Sequence, residues 1–258
     1  MSTSIANTTV TTTVAARVSR HSRFFLVMAV VLFLPILVGF GPTFFLRPWS
    51  GAKDSLGGPF PVHLIIHGSV LSAWFLLLIV QTTLVAAHRV DLHRRLGVIG
   101  VGLAVAVVVA SSVTLVRVVP RATTLGFPAD ALAGVVVSDS VTLVQFALFV
   151  AAAVYLRRRV AAHKRLMFLA SNSIISPAFS EGRPLGRSLA HWFGAKTPVS
   201  VLFMFACIGA VVVYDLVTRK RIHPATVAGI ASFFLGIVVV VFVLFGSGLG
   251  AAFVEWLR

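Results

Sequence analysis

The stretch from His63 to Leu96, HLIIHGSVLSAWFLLLIVQTTLVAAHRVDLHRRL, decides the fold class of this chain. It contains an apolar run of about the 20 residues that an α-helix needs to cross the hydrocarbon core of a membrane. His67, Trp74, Gln81 and His88 follow one another at intervals of seven residues. Seven residues are nearly two helical turns, so these side chains share one slowly drifting stripe. A helix that contacts only lipid does not need such a stripe, and we expect it to face protein.

The composition places the whole chain among polytopic membrane proteins. Of its 258 residues, 58% are hydrophobic and 11% are charged, and the mean hydropathy is +1.00. The formal net charge of +15 would indicate a nucleic-acid partner in a soluble protein. Here the basic residues lie between apolar runs, which is typical of topology signals and of contacts with anionic phospholipid headgroups. The single cysteine, Cys207, allows no intrachain disulfide.

Hydropathy predicts an all-α bundle of about seven transmembrane helices. The predicted spans are 24–46, 64–87, 96–117, 133–156, 165–180, 199–217 and 225–246. Residues 1–23 are interpreted as a disordered cytoplasmic tail, 24–246 as the membrane domain and 247–258 as a short external segment. The fifth span is shorter than the others and contains several serines and Pro177, so we expect its neighbours to shield it from lipid.

The distribution of basic residues predicts the orientation. The tail and the loops after even-numbered spans hold 14 of the 22 Lys and Arg residues, and the other side holds 8. Because short cytoplasmic loops are enriched in Lys and Arg, the amino terminus is predicted to be cytoplasmic and Arg258 external. The abundance of Ala, Val and Arg over Lys favours a bacterial plasma membrane.

One pattern recurs within the chain. Arg89-Val90-x-x-His93-Arg94-Arg95-Leu96 is followed seventy residues later by Arg159-Val160-x-x-His163-Lys164-Arg165-Leu166. Both copies join an even-numbered span to the next, so spans 2–3 and 4–5 are interpreted as repeated hairpins related by an axis along the membrane normal. Chance similarity between two short basic loops is the alternative.

The most informative polar positions lie on the predicted external side. His67 lies 20 residues before the end of span two at Ala87, and Asp139 lies 17 residues before the end of span four at Leu156, which places the two side chains at similar depth. An acid inside a span is costly and normally has a partner. We therefore predict a polar ligand pocket formed by His67, Trp74, Gln81, Asp139 and Arg183. The alternative is that Asp139 is an interfacial residue or makes a structural hydrogen bond.

Histidines indicate a second kind of site. His63 and His67 are four residues apart on one helix face, a spacing that can bind a transition metal. His93 and His163, equivalent in the repeat, could face each other as the axial ligands of haem b do. The competing interpretation is that the basic clusters around them bind lipid headgroups through Arg94, Arg95, Lys164 and Arg165.

Four blocks of sequence resemble a family of bacterial polytopic membrane proteins that has no established activity. The blocks are HG-x(5)-W at His67–Trp74, Q-x-x-LV at Gln81–Val85, HRRLG at His93–Gly97 and AHKRLM at Ala162–Met167. The likeness covers roughly residues 60–185. The family pattern also has an acid early in the fourth span and an arginine after the fifth, which would correspond to Asp139 and Arg183. The resemblance thus implies a fold and a set of positions rather than a reaction.

Three function classes follow from these patterns. The favoured one is an integral membrane protein that binds a small ligand or lipid in the external pocket. The second is a membrane redox or cofactor-assembly protein with haem or a transition metal at its histidines, and the third is a small-solute transporter. A phosphate-cradling loop, a nucleophile elbow, an HExxH pair and a CxxC pair are absent from the sequence, and no catalytic residue is predicted.

Overall fold

The computed structural model describes residues 23–51, 60–180, 182–194 and 197–257, and every regular element in these ranges is helical. The predicted tail, residues 1–23, lies outside this part of the chain except for Arg23. The helices are α1 Arg23–Phe45, α2 Val62–Ala86, α3 Val90–Thr124, α4 Ala129–Tyr155, α5 Val160–Ser173, α6 Pro184–Phe193, α7 Val199–Arg219, α8 Pro224–Gly246 and α9 Leu249–Leu257.

Six of these helices are long and apolar enough to cross a membrane, namely α1, α2, α3, α4, α7 and α8. The predicted all-α polytopic bundle is therefore confirmed. Proline marks several helix starts, because its fixed φ suits the first turn and its missing N–H has no intrahelical acceptor there. It is the residue before α2, α4 and α7, and the first residue of α6 and α8.

The fifth predicted span differs from the other six. In place of a helix over 165–180, α5 has 14 residues, begins within the basic loop and ends at Ser173, and a 3-10 turn follows over Ser176–Phe179. The physical reason is the local sequence, because Pro177 cannot continue an α-helix and the serines favour local hydrogen bonds to the backbone. Nine residues of α5 are buried, so this segment is shielded as predicted.

The buried segment nevertheless runs along most of α1. The Phe25 and Phe168 rings are 6.4 Å apart near the start of both segments, and Gly39 abuts the Ala178 backbone near their ends. On the other side, Asn172 Nδ2 donates to the Met204 carbonyl of α7 over 3.2 Å. Residues 160–180 thus traverse the interior parallel to α1 and supply the polar groups on which the candidate site depends.

The two ends of the bundle differ in charge. We call the end that carries the turns at 87–89, 156–159 and 220–223 the basic side, and the other end the opposite side.

On the opposite side, the C-terminal residues 247–257 include α9, which folds back against α3 and α4. Val254 of α9 is 1% exposed and shares a small apolar cluster with Val119, Leu132 and Val136.

The two copies of the internal repeat have similar local structure. Arg89 and Arg159, the residues before α3 and α5, have φ/ψ of −91°/56° and −93°/77°. In each copy the histidine N–H, at position 93 or 163, donates to the carbonyl of that arginine over 3.0–3.1 Å. The helices that follow have 35 and 14 residues. The similarity is therefore confined to the turns and the first turn of each following helix.

Candidate functional site

The polar stripe of α2 faces protein at three of its four positions. Trp74 is 2% exposed, and its indole Nε1 donates to Ser171 Oγ of α5 over 3.1 Å. His67 and Gln81 are half-buried. His88 lies beyond the end of α2 in an exposed turn with φ of 61°, so it does not continue the stripe.

His67 lies where α2, α3 and the segment after α5 approach one another. Its Nδ1 atom is 3.5 Å from Ser111 Oγ of α3. The guanidinium of Arg183 lies within electrostatic range of the imidazole. Next to His67, Gly68 leaves room for the Phe44 ring, since a Cβ at this glycine would lie 2.5 Å from that ring. The His67 imidazole thus has a hydroxyl and a guanidinium near it, and the Phe44 ring packs beside the next residue.

Asp139 and His67 occupy corresponding positions on two helices that run in the same direction. The Trp74 and Phe146 rings are 5.0 Å apart and bring α2 into contact with α4. His67 and Asp139 each precede their aromatic residue by seven positions, nearly two helical turns. Among the described residues, the Asp139 carboxylate makes no hydrogen bond or ion pair. No direct contact joins the two side chains, and their equal depth stays a prediction.

Arg183 supplies the cation of this region. It is the residue before α6, and its Nη1 donates to Thr43 Oγ1 of α1 over 3.0 Å. The Phe40 ring covers one face of the guanidinium, with Cζ 3.9 Å from the ring centroid. Nε is buried and has no hydrogen-bond partner among the described residues. Burial lowers the pKa of Arg183 to about 10, so the side chain remains charged at neutral pH.

Gln81, predicted as the deepest member of the pocket, belongs to a different cluster on the basic side. With the side-chain amide turned so that its oxygen accepts from the Gly97 N–H over 3.1 Å, its nitrogen donates to His93 Nδ1 over 2.6 Å and to the His93 carbonyl over 3.2 Å. The ring centroids of His93 and His163 are 6.2 Å apart, and His163 Nδ1 lies 2.9 Å from the Ala153 carbonyl oxygen. The pairing that the repeat suggested is therefore present, and it joins the two hairpins.

The two rings of the histidine pair approach each other edge to face, at an interplanar angle of 81°. Because a carbonyl oxygen can only accept, His163 Nδ1 carries the proton that it donates to Ala153. The position of the proton on His93 depends on the orientation of the Gln81 amide. Haem ligation by this pair therefore stays a prediction.

His63 and His67 are also poorly placed for a cation. Arg117 and Arg121 of α3 lie within electrostatic range of His63, and Arg183 lies within that of His67. Within the described ranges, no group of three or more His, Cys, Asp or Glu side chains converges as metal ligands would. The surroundings of these two histidines therefore favour an anion over a metal ion.

The four residues predicted to bind headgroups are in three different environments. Arg94 and Arg95 are exposed, as a headgroup contact requires. Lys164 Nζ donates to the Tyr214 hydroxyl over 3.0 Å and lies 4.8 Å from the Phe25 ring centroid. Arg165 is 1% exposed and forms an ion pair with Asp215 of α7. The prediction for Arg165 is thus corrected, because a buried, paired guanidinium is not available to lipid.

The Asp215 cluster is the main polar centre that the sequence did not indicate. Both carboxylate oxygens accept from Arg165, and Nε of that arginine is 3.0 Å from Oδ1. Oδ2 also accepts from Thr226 Oγ1 at 2.7 Å and from the His223 backbone N–H at 3.0 Å. The cluster joins α5, α7 and α8 on the basic side. Its signal in the sequence is an acid near the end of an apolar run.

No family model matches the chain. No curated protein and no solved structure matches it either. The assignment of function therefore rests on the site itself.

Proposed function

We propose that this integral membrane protein binds a small polar ligand on its opposite side, in a pocket formed by His67, Asp139 and Arg183. The observation that carries the proposal is that the Asp139 carboxylate of α4 and Nε of Arg183, the residue before α6, have no hydrogen-bond partner among the described residues. Unpaired polar atoms inside a membrane domain cost several kcal/mol unless something else satisfies them. A ligand that reaches both groups would remove this cost.

The surroundings of the pocket support a specific site rather than general hydration. Trp74 follows His67 by seven residues on the polar stripe of α2, and its indole donates to Ser171. Its ring packs against Phe146, and the two rings form the apolar floor of the pocket. Thr43 and Phe40 hold the Arg183 side chain in one orientation. Apolar walls with a few fixed polar groups are typical of small-molecule sites. Of the five residues predicted from the sequence, Gln81 leaves the pocket, because both ends of its amide are engaged by α3.

Native mass spectrometry of the purified protein tests this proposal. We expect the wild type to retain a small-molecule adduct, and we expect Asp139→Asn to lower its occupancy about tenfold, because a charged hydrogen-bond partner is removed. Asp130→Asn is the matched control, since Asp130 is an exposed acid in the first turn of the same helix. An equal occupancy in both variants, or a wild type without an adduct, would refute the pocket.

We also propose that the basic side faces the cytoplasm and that the membrane is a bacterial plasma membrane. The distribution of 14 against 8 basic residues supports the orientation, because Lys and Arg are retained in short cytoplasmic loops. A reporter fused after Arg258 should then be active outside the cytoplasm, and one inserted at Arg158 should be active inside. The reverse pattern would place the ligand pocket on the cytoplasmic side.

The resemblance to the bacterial polytopic family supports this proposal only through two residues that match positions of the family pattern. The acid and the arginine that the family pattern implies correspond to Asp139 and Arg183, two members of the proposed pocket. The redox alternative rests on the ring contact between His93 and His163 alone. Ligand binding on the opposite side is therefore the function that the contacts support best.

A further inference from the structure

We infer that the ligand presents an oxyanion, a carboxylate or a phosphate group, to the Arg183 guanidinium. This inference rests on the proposed function and adds the chemical class of the ligand. It depends on how the arginine is held, on the charges around it and on the helix that it precedes.

The guanidinium of Arg183 has one edge free. Nη1 is occupied by Thr43, and the Phe40 ring covers one face. Nε has no partner among the described residues although it is buried. Nε and Nη2 point to the same side of the planar group, the edge with which arginine binds a carboxylate or a phosphate through two parallel hydrogen bonds. The protein thus orients the arginine and leaves its binding edge to another molecule.

The charges described around Arg183 also favour an anion. The Arg165–Asp215 ion pair lies at the other end of the bundle. Asp139 is the acid of the proposed pocket, but it forms no ion pair with Arg183. His67, which lies within electrostatic range of the guanidinium, is basic. A charged group left unpaired in a membrane domain is costly, and an oxyanion would neutralise it.

The start of α6 adds to this preference. Arg183 is the residue before this ten-residue helix, and Pro184 occupies its first position. The N-terminal end of a helix carries a partial positive charge, which favours an anion in front of it. The unpartnered guanidinium edge and the helix end therefore act on the same ligand group.

Titration of oxyanions against the purified full-length protein tests the inference and identifies the source of the anion. One arm uses nanodiscs of phosphatidylcholine with added acetate or inorganic phosphate. The other uses nanodiscs that contain phosphatidylglycerol. The readout is the thermal midpoint, which rises when a ligand binds only the folded state. A rise in the first arm indicates a free anion, and a rise in the second arm alone indicates a lipid headgroup.

We expect that the Arg183→Gln variant requires about tenfold to a hundredfold more anion to reach the same rise in thermal midpoint, because the substitution removes a charged hydrogen-bond partner. Arg187→Gln is the matched control, because Arg187 is exposed on the same helix, and it should respond as the wild type does. If Arg183→Gln does not fold, Arg183→Lys retains the charge without the planar fork and should still bind several-fold more weakly.

A wild type that responds in neither arm, or an Arg183 variant that responds as the wild type does, would overturn the inference. This failure can be distinguished from failure of the proposed function. If the wild type keeps a small-molecule adduct that Asp139→Asn loses while oxyanions have no effect, the pocket stands and the ligand is not an oxyanion.

Discussion

Replacing Asp215 with alanine should destabilise the protein by about 3–5 kcal/mol, because it leaves the Arg165 charge buried without a partner. The carboxylate accepts from Arg165, Thr226 and the His223 backbone, so one substitution also removes contacts between α5, α7 and α8. The measurement is the thermal midpoint in detergent, together with the yield of folded protein.

Two variants make this expectation specific. Asp91→Ala removes an exposed acid in the first turn of α3 and should leave the midpoint nearly unchanged. Arg165→Met combined with Asp215→Leu should cost less than Asp215→Ala alone, because the pair is removed together and no charge is left buried. If Asp215→Ala melts at the same temperature as Asp91→Ala, the Arg165–Asp215 pair is not buried as described.

Replacing Gly39 with leucine should have the second large effect. A Cβ at this position would overlap the Ala178 carbonyl oxygen and lie 3.1 Å from its carbon. These are backbone atoms that cannot rotate away, so α1 and the 3-10 turn at Ser176–Phe179 must separate. Overpacking of this kind costs about 1–3 kcal/mol, and we expect the upper end of that range.

Gly41→Ala is the control for this substitution, because a Cβ there would meet nothing within 4 Å. The separation should also move Arg183, which follows the 3-10 turn and bonds to Thr43 of α1. Gly39→Leu should therefore lower both the thermal midpoint and the binding of the ligand, whereas Gly41→Ala should lower neither. A Gly39 variant as stable as the control would show that the two segments do not touch.

The membrane architecture was predictable because hydropathy is a local property of the chain. Six of the seven predicted spans appear as helices, and five of these begin and end close to the predicted residues. The third, α3 at Val90–Thr124, extends beyond the predicted 96–117 at both ends. The length of the fifth span was predicted wrongly, because Pro177 and the neighbouring serines end α5 early. The segment is short but lies within the bundle because neighbouring helices bury it. Length and composition could not show that neighbouring helices would surround it.

The contacts of the site were less predictable, because they depend on how each helix is rotated about its axis. Depth can be counted along a helix, which is why the sequence predicts His67 and Asp139 at one level. The lateral distance between two helices cannot be counted from the sequence, and the structure shows no direct contact between these two side chains. Arg165 and Asp215 are fifty residues apart, and Arg165 lies in a basic loop whose composition indicates lipid contact. Their pairing is visible only when α5 and α7 are packed together.

A density map of the protein in a lipid nanodisc, prepared without added ligand, would show whether the pocket is occupied. We expect non-protein density in the pocket, in contact with the free edge of Arg183 and within reach of His67 and Asp139. A map in which Arg183 and Asp139 pair with each other, or in which both side chains face lipid with no density beside them, would contradict it.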